Sequence, residues 1–289
     1  MTNIPITGHT KLTGLLGSPV SHSMSPLMHN ESFRALGLDY VYLCFEVGED
    51  TLPAAVSGLK AAGIRGFNLT MPNKNKIMEL IDQLSPAAEL IGAVNTVVND
   101  DGVLTGYNTD GIGFMQSVRD AGYEITGETM TLLGAGGAAT AIAAQAALDK
   151  VKEIRIFARP TSRFYERIRT LTDKINETTD CRASLYDNAD QNALKDSIDS
   201  SIILLIATSV GTPPDTSQSL ITDPGYFHRD LIVSDIIYEP RRTRLLTLAE
   251  SAGCQTMNGL YMLLYQGAEA FRLFTGHEMP VALIKQKYF

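Results

Sequence analysis

A glycine-rich junction in the middle of the chain restricts the fold more than any other sequence feature. The apolar run Thr129–Leu133 is typical of a buried strand, and the alanine-rich stretch that ends near Leu148 favours a helix. Residues 134–139 between them have the G-x-G-x-x-A pattern, which allows a tight turn and lets the backbone approach a pyrophosphate at the helix N-terminus. We therefore predict a dinucleotide-binding turn that includes Gly134, Ala135, Gly136, Gly137 and Ala138.

Short apolar runs alternate with helical patterns on both sides of this turn, as expected for β-α-β units around a parallel sheet. We predict an α/β protein of two domains. Residues 1–112 would form a substrate-binding and catalytic domain with a mostly parallel sheet, and residues 113–259 a Rossmann-like dinucleotide-binding domain. The stretch Gly259–Phe274 has only one acidic and one basic residue, so residues 260–289 are predicted to pack back as C-terminal helices.

Composition and charge exclude several classes of protein. The formal net charge is −8 and no run of five basic residues occurs, which argues against a nucleic-acid binder. Cys44, Cys181 and Cys254 are widely spaced and odd in number, so neither a disulfide framework nor a metal site is predicted. The N-terminus lacks a secretory pattern, and no apolar run reaches 18 residues. We expect a cytoplasmic protein that acts on a small molecule without a membrane partner.

The segment after the second strand of the predicted nucleotide-binding domain bears on the choice of cofactor. NAD-binding domains usually carry an acidic residue roughly 20 residues after the glycine-rich turn. Here residues 156–163 contain no acid but include Arg159, Thr161, Ser162 and Arg163. Guanidinium groups pair well with phosphate oxygens, so the segment favours NADP over NAD. The alternative is that both arginines are solvated charges at the start of a helix.

Several polar segments in the first domain end strands or open helices. Ser23 and Ser25 precede a helix that starts near Pro26, where their hydroxyls would point at a carboxylate; the alternative is ordinary N-capping by Ser25. Asn68 and Thr70 share one face of a predicted strand. Each of these segments also has the composition of an ordinary turn.

Lys74 and Asp110 are the candidate acid–base pair. When a secondary alcohol is oxidised, a positioned base must take the hydroxyl proton as the hydride leaves carbon. Lys74 is that base if its amine is partly desolvated and Asp110 holds it by a charged hydrogen bond. Alternatively, Asp110 takes the proton and Lys74 orients the substrate. The sequence leaves both assignments open.

At these residues the chain resembles the shikimate dehydrogenase family, and its second half is most similar to the quinate/shikimate dehydrogenase branch. The resemblance spans about residues 11–289 and implies that Lys74 is the catalytic lysine, paired with Asp110. It implies reversible NAD(P)-dependent interconversion of shikimate and 3-dehydroshikimate, and of quinate and 3-dehydroquinate in the branch. The implied substrate contacts are Ser23, Ser25, Asn68, Thr70, Asn95, Asp110 and Gln266. The implied cofactor contacts outside the glycine-rich turn are Arg159, Thr208, Tyr238 and Met262.

The chain departs from the family pattern at a few positions. Ala158 stands where Asn usually precedes the arginine, Ile206 where Asn often begins Asn-Ala-Thr, and Tyr261 where a small residue commonly precedes Met262. Two other functions are compatible with the sequence: a ligand-sensing paralogue without turnover, and a dehydrogenase of another hydroxy acid. The oligomeric state stays open, with a homodimer among the expectations.

Overall fold

The computed structural model describes residues 5–289; residues 1–4, at the start of the predicted first domain, lie outside the described range. The chain forms two compact units. Unit 1 consists of Met1–Gly113 and Leu264–Phe289, and unit 2 of Phe114–Leu263. The functional roles that the sequence assigns to residues 1–112 and 113–259 stay predictions.

Unit 1 contains a mixed six-stranded sheet with the strand order β2-β1-β3-β5-β6-β4. Its strands are β1 (Lys11–Gly17), β2 (Tyr40–Glu46), β3 (Gly66–Leu69), β4 (Gln83–Leu84), β5 (Thr96–Asp100) and β6 (Val103–Tyr107). Three helices accompany them in chain order: α1 (Ser25–Leu36), α2 (Leu52–Ala61) and α3 (Pro86–Ile91). The next helix, α4 (Asp110–Asp120), begins in unit 1 and continues into unit 2.

Strand direction decides which loops of unit 1 share an edge of the sheet. β1 pairs in parallel with β2 and β3, whereas β5 is antiparallel to both β3 and β6. β6 therefore runs in the same direction as β1 and β3. The carboxyl ends of β1, β3 and β6 and the amino end of β5 consequently lie at one edge.

Unit 2 contains a fully parallel six-stranded sheet with the order β12-β11-β10-β7-β8-β9. Its strands are β7 (Thr129–Leu133), β8 (Glu153–Ala158), β9 (Arg182–Asp187), β10 (Ile203–Ile206), β11 (Ile232–Asp235) and β12 (Gln255–Met257). Its helices are α5 (Gly137–Leu148), α6 (Tyr165–Thr178), α7 (Gln191–Asp199) and α8 (Arg244–Ser251). This is the Rossmann strand order, so the predicted fold class, two α/β domains with mostly parallel sheets, is confirmed.

Two further helices complete the chain, α9 (Leu260–Thr275) and α10 (Val281–Tyr288). The C-terminal part of α9 belongs to unit 1, where Phe271 and Phe274 are buried in one core cluster with Phe33 of α1 and Tyr42 of β2. A second cluster covers the other face of the sheet. Because both faces are covered, β1 is buried along most of its length.

A buried carboxyl group lies at the end of β11 in unit 2. Asp235 is 1% exposed; its Oδ1 accepts a hydrogen bond from the Ile237 amide at 3.1 Å and its Oδ2 one from the Thr243 hydroxyl at 2.9 Å. Thr243 in turn caps the N-terminus of α8 by accepting from the Leu246 amide. Burial raises the pKa of Asp235 to about 6, against the lowering effect of the two hydrogen bonds.

We predict that Asp235→Asn changes the pH dependence of stability. The folded-state pKa lies above the ordinary value of 3.8, so the folded chain holds this proton more tightly than the unfolded chain does. The free energy of unfolding of the wild type, relative to the variant, should fall by up to about 3 kcal/mol as the pH rises from about 4 to about 7. Urea unfolding at several pH values measures this difference.

The exposed Asp180→Asn substitution, which removes a carboxylate of the same unit, is the control. A difference for Asp235→Asn that does not change with pH would contradict the raised pKa.

Candidate active site

The predicted catalytic pair is formed in unit 1. Lys74 Nζ lies 2.6 Å from Asp110 Oδ2, and the two side chains are 31% and 14% exposed. Asp110 begins α4, where the helix N-terminus stabilises a negative charge. Its amide donates to Asn108 Oδ1 at 3.1 Å, which fixes this end of the helix. The pair is thus partly desolvated and still open to a small molecule.

The turn that carries Lys74 is anchored on both sides. The buried Asn73 donates from Nδ2 to the Val47 carbonyl at 2.8 Å, and Asn75 donates to the Gly92 carbonyl at 3.0 Å. The carbonyl of Lys74 itself accepts from the Val94 amide. These bonds restrict where the lysine ammonium can lie.

Asn95, immediately before β5, orients the carboxylate of Asp110. Its Nδ2 donates to Asp110 Oδ1 at 2.9 Å and to the Thr109 hydroxyl at 3.0 Å, and its Oδ1 accepts from the Thr109 amide at 2.8 Å. The side chain is only 2% exposed. Asn95 therefore holds one oxygen of Asp110 and leaves the other for Lys74. The predicted contact of Asn95 with a substrate stays a prediction.

The two candidate serines lie around the start of α1. The helix begins at Ser25, and its N-cap is Met24, which forms no side-chain cap. N-capping by Ser25, the alternative interpretation of the sequence, is therefore wrong. Ser23 Oγ instead accepts from the Ser25 amide at 3.2 Å, which closes a turn and holds both hydroxyl groups near the helix N-terminus.

Three residues of β2 support this serine loop, and the sequence interpretation missed them. Glu46 accepts from the Ser18 hydroxyl at 2.5 Å and from the Val20 amide at 3.3 Å. The Tyr42 hydroxyl lies near Ser25 and donates to Asn68 Oδ1 at 2.8 Å, and the Cys44 thiol lies near Ser23. Burial raises the pKa of the Cys44 thiol, so it stays protonated. Residues 42, 44 and 46 alternate along one strand, a spacing that places their side chains on one face.

Asn68 and Thr70 lie at the end of β3, beside the end of β1. A Cβ at Gly17 would be 2.1 Å from Thr70 Cγ2, so only glycine permits this approach of the two strands. Asn68 is buried and donates from Nδ2 to the Asn95 carbonyl at 3.2 Å and to the Thr96 hydroxyl at 2.9 Å. The structure thus connects Asn68 to Asn95 and, through it, to Asp110 and Lys74.

The predicted cofactor residues of unit 2 follow the carboxyl ends of its parallel strands. The glycine-rich turn follows β7, Arg159 follows β8, Thr208 comes shortly after β10 and Tyr238 after β11. The strand order changes direction between β7 and β10, and ligands of open α/β sheets bind at such a point.

Two glycines of the turn are required for different reasons. Gly134 has φ +142, and a Cβ there would lie 2.4 Å from the Ala207 carbonyl oxygen, so the fold itself requires glycine. Gly136 has φ −72, and a Cβ there would meet no protein atom within 4 Å. It is also the N-cap of α5 without a side-chain cap, so the amides of the first turn are open to an anion. The turn fits a dinucleotide pyrophosphate.

The two arginines after β8 lie before α6, which begins at Tyr165. Both are exposed, and among residues 5–289 neither forms an ion pair with a carboxylate. The guanidinium of Arg163 lies 4.6 Å from the ring centroid of Phe164. Two exposed arginines without carboxylate partners suit phosphate binding. The same arrangement is expected if both arginines are simply solvated charges.

The remaining predicted residues lie on α9. Met262 belongs to unit 2 and Gln266 to unit 1. Gly267, next to Gln266, permits close packing on α1, because a Cβ there would lie 2.7 Å from Met28 Cε. Tyr261 is 38% exposed.

Two searches over residues 5–289 bear on other kinds of site. No group of three or more His, Cys, Asp or Glu side chains in that range is arranged to hold a metal ion. No helix in the same range is long and apolar enough to cross a membrane.

Comparisons with known proteins point in one direction. A family model for the shikimate dehydrogenase substrate-binding domain matches residues 15–97, and one for the shikimate 5'-dehydrogenase C-terminal domain matches residues 259–287. Shikimate dehydrogenase (NADP(+)) of Listeria monocytogenes serotype 4b is 54% identical over 98% of this chain and 97% of its own length.

Solved structures show the same similarity. The structure of shikimate 5-dehydrogenase from Listeria monocytogenes in complex with shikimate and NAD has a TM-score of 0.96 and 53% identity, covering 100% of this chain and 99% of that one. Quinate dehydrogenase from Corynebacterium glutamicum in complex with NAD has a TM-score of 0.83 and 30% identity, covering 96% and 98%.

We predict that Gly134→Ala and Gly136→Ala separate folding from dinucleotide binding. Gly136→Ala should leave the Tm unchanged or slightly higher, because its backbone conformation suits alanine and no protein atom is displaced. It should weaken dinucleotide binding about tenfold or more, because the methyl group blocks close approach of the pyrophosphate. Gly134→Ala should lower the Tm. Thermal unfolding measures the Tm, and titration with NADPH, followed by the fluorescence of its reduced nicotinamide, measures dinucleotide binding.

Gly58→Ala in α2 is the matched control, since a Cβ there also meets no atom within 4 Å. It should alter neither dinucleotide binding nor turnover. Equal NADP affinity in the Gly136→Ala and Gly58→Ala variants would remove Gly136 from the cofactor site.

Proposed function

The chain belongs to the shikimate dehydrogenase family, and on that premise we propose that it catalyses the reversible, NAD(P)-dependent oxidation of shikimate to 3-dehydroshikimate. The observation that carries the proposal is the partly buried ion pair between Lys74 and Asp110 Oδ2. Asn95 holds the other carboxylate oxygen, Oδ1, by a hydrogen bond. Such a pair supplies what oxidation of a ring hydroxyl requires from the protein, a positioned site for its proton.

In this proposal Lys74 exchanges the proton with the substrate oxygen. Both oxygens of Asp110 already accept hydrogen bonds, one from Asn95 and one from Lys74, so the carboxylate is occupied by protein donors. Lys74 is the more exposed of the two. In ketone reduction the ammonium of Lys74 donates its proton to the substrate oxygen. Asp110 stabilises the positive charge of Lys74 whenever the lysine is protonated.

The bound dinucleotide would supply hydride acceptance and donation at the ring carbon, and the chain's own residues would place that carbon. Ser23 and Ser25 would bind the substrate carboxylate at the start of α1, with the helix N-terminus adding to the attraction. Asn68, Thr70, Asn95 and Gln266 would contact ring hydroxyls. Gly134, Ala135, Gly136, Gly137 and Ala138, with Thr208, Tyr238 and Met262, would hold the dinucleotide.

NADP is the cofactor that we propose as preferred. Arg159 and Arg163 are exposed in the loop after β8, where the ribose 2′-substituent of a Rossmann-bound dinucleotide lies. The Listeria relative named above is described as an NADP(+) enzyme, although the solved Listeria structure holds NAD. Both nucleotides therefore belong in the test.

Initial rates for shikimate and quinate, each with NADP and NAD, test the proposed function directly. We expect turnover of shikimate with NADP at the highest kcat/KM, measured at 340 nm. Activity with quinate would extend the substrate range. Binding of shikimate and NADP without any absorbance change would favour a sensor, and turnover of another hydroxy acid alone would contradict the proposed substrate.

We predict that Lys74→Met and Asp110→Asn lower kcat by about 10²- to 10⁴-fold, the usual contribution of a positioned acid or base. Their Kd for NADP should stay within about threefold of the wild type, because neither side chain belongs to the proposed cofactor site. Lys76→Met is the matched control. Lys76 follows Lys74 by two residues and forms an ion pair with the exposed Glu79. Unchanged kcat in both test variants would exclude the pair from the chemistry.

We also predict that Arg159→Ala raises the KM for NADP about 10- to 100-fold and changes the KM for NAD by less than about threefold. A guanidinium–phosphate pair is strong, and only NADP carries the 2′-phosphate. The exposed Lys152→Ala substitution in the same unit controls for loss of one positive charge. Equal losses with both nucleotides, or a wild type that prefers NAD, would rule out this role for Arg159.

A further inference from the structure

The loop between β11 and α8, residues 236–243, carries Tyr238, a proposed contact of the dinucleotide. Tyr238 is 43% exposed, so part of its side chain is accessible to a ligand. Both ends of the loop are tied to Asp235, which accepts from the Ile237 amide and from the Thr243 hydroxyl. The carboxyl group thus fixes the base of the loop, and the position of Tyr238 depends on what holds the rest of it.

The segment before α9 packs directly on this loop. The Gly259 amide donates to the Ile237 carbonyl at 3.0 Å. A Cβ at Gly259 would overlap the Ile236 carbonyl oxygen, so only glycine permits this approach of the two segments. The start of α9 and the loop after β11 are therefore in direct backbone contact.

Asn258 makes a second connection between the same two segments. Its Nδ2 donates to the Arg241 carbonyl in the loop at 2.9 Å. Its Oδ1 accepts at 3.1 Å from the amide of Leu260, the first residue of α9. A carboxylate of the same shape could only accept, so the amide is what allows both bonds. One side chain thus links the loop that carries Tyr238 to the helical turn that carries Met262.

The strand order shows which half of a dinucleotide these residues would meet. In the order β12-β11-β10-β7-β8-β9, the glycine-rich turn follows β7 and Arg159 follows β8. The adenosine ribose of a Rossmann-bound dinucleotide lies on the β8 side of the turn, so the other mononucleotide extends across the crevice towards β10 and β11. Tyr238 follows β11 and therefore lies on the nicotinamide side, together with the start of α9 that contacts its loop.

We propose that Asn258 is a positioning residue for the nicotinamide half of the dinucleotide. It holds Tyr238 and Met262 at a fixed separation, so that both side chains meet the nicotinamide without first being ordered. The bond to the Arg241 carbonyl is the decisive one, because through it Asn258 holds the loop. Without that bond the base of the loop and the start of α9 persist, but the separation of the two side chains varies. The inference rests on the proposed cofactor contacts of Tyr238 and Met262.

The central test is Asn258→Asp, which removes only one of the two bonds. Aspartate has the shape of asparagine and can still accept from the Leu260 amide, where the helix N-terminus favours its charge. It cannot donate to the Arg241 carbonyl. We expect its Kd for NADPH to rise about 5- to 20-fold, whereas its Kd for adenosine 2′,5′-bisphosphate, which lacks the nicotinamide half, should stay within about twofold of the wild type. Calorimetric titration measures both constants.

Asn258→Ala distinguishes the lost bond from the added charge. It removes both bonds and adds no charge, so it should weaken NADPH binding at least as much as Asn258→Asp and again spare the bisphosphate. A wild-type Kd for NADPH in either variant would overturn the inference, because the helix start or the new charge would then explain the other result. Equal losses for both ligands would overturn it as well.

Asn176→Ala is the matched control in unit 2. Asn176 of α6 also uses both ends of its side chain, donating to the Ala183 carbonyl at 2.9 Å and accepting from the Ala183 amide at 2.8 Å. These bonds join α6 to β9, at the edge of the sheet opposite to β12. Asn176→Ala should bind NADPH and the bisphosphate like the wild type. A selective loss of NADPH affinity here would mean that any loosening of unit 2 has this effect, and would overturn the inference.

Two further comparisons separate this inference from folding and from the proposed function. If the Tm shows that neither Asn258 variant folds, Asn258→Ser replaces them, because serine accepts at a helix start but has a shorter side chain. A wild-type Kd for NADPH in that variant would overturn the inference.

A wild type that binds NADPH and oxidises shikimate, with indifferent Asn258 variants, defeats only the inference. A wild type that binds neither NADPH nor NADH defeats the proposed function and the inference with it. If the wild type binds NADH alone, NADH and ADP replace the two ligands in the same comparison.

Discussion

The hydrogen bond from Asn95 to Asp110 is the contact on which the arrangement of unit 1 depends. Asn95 precedes β5, and Asp110 follows β6, so the bond exists only because β5 runs against its neighbours and brings its amino end to the edge where the other strands finish. Through its carbonyl oxygen, Asn95 also accepts from Asn68 of β3. Asn95 thus joins three chain segments, and its hydrogen bond sets the orientation of the Asp110 carboxylate that pairs with Lys74.

Sequence patterns predicted the parallel parts of the fold and missed the antiparallel part. The β5–β6 hairpin was not predicted, although Asp101-Gly102, with φ values of +52 and +92, forms its two-residue turn and is a recognised hairpin signal. The candidate residues of the site were found because hydroxyl, amide and carboxylate groups cluster after strands. Tyr42 and Glu46 were not, because a tyrosine and a glutamate in a strand give no sign of which loop they will support.

The two units use the same principle with different groups. Each gathers its candidate binding residues at the edge where parallel strands end, which is where backbone groups are left without sheet partners. In unit 1 the open positions carry side chains, and in unit 2 they carry glycines that expose amides. A side-chain site can discriminate among hydroxylated acids, whereas an amide site recognises the pyrophosphate that all such dinucleotides share.

The side chain of Asn30 in α1 forms two hydrogen bonds with the backbone of Tyr42, and these bonds affect whether another chain can pair with β2. β2 is an edge strand of its sheet, and edge strands offer unpaired backbone groups to any extended peptide. At Tyr42, in the middle of the strand, the amide and carbonyl that face away from β1 are already bonded to the Asn30 side chain. A foreign strand would have to displace that amide to add to the sheet, so the residue that steadies the tyrosine also protects this edge against β-augmentation and aggregation.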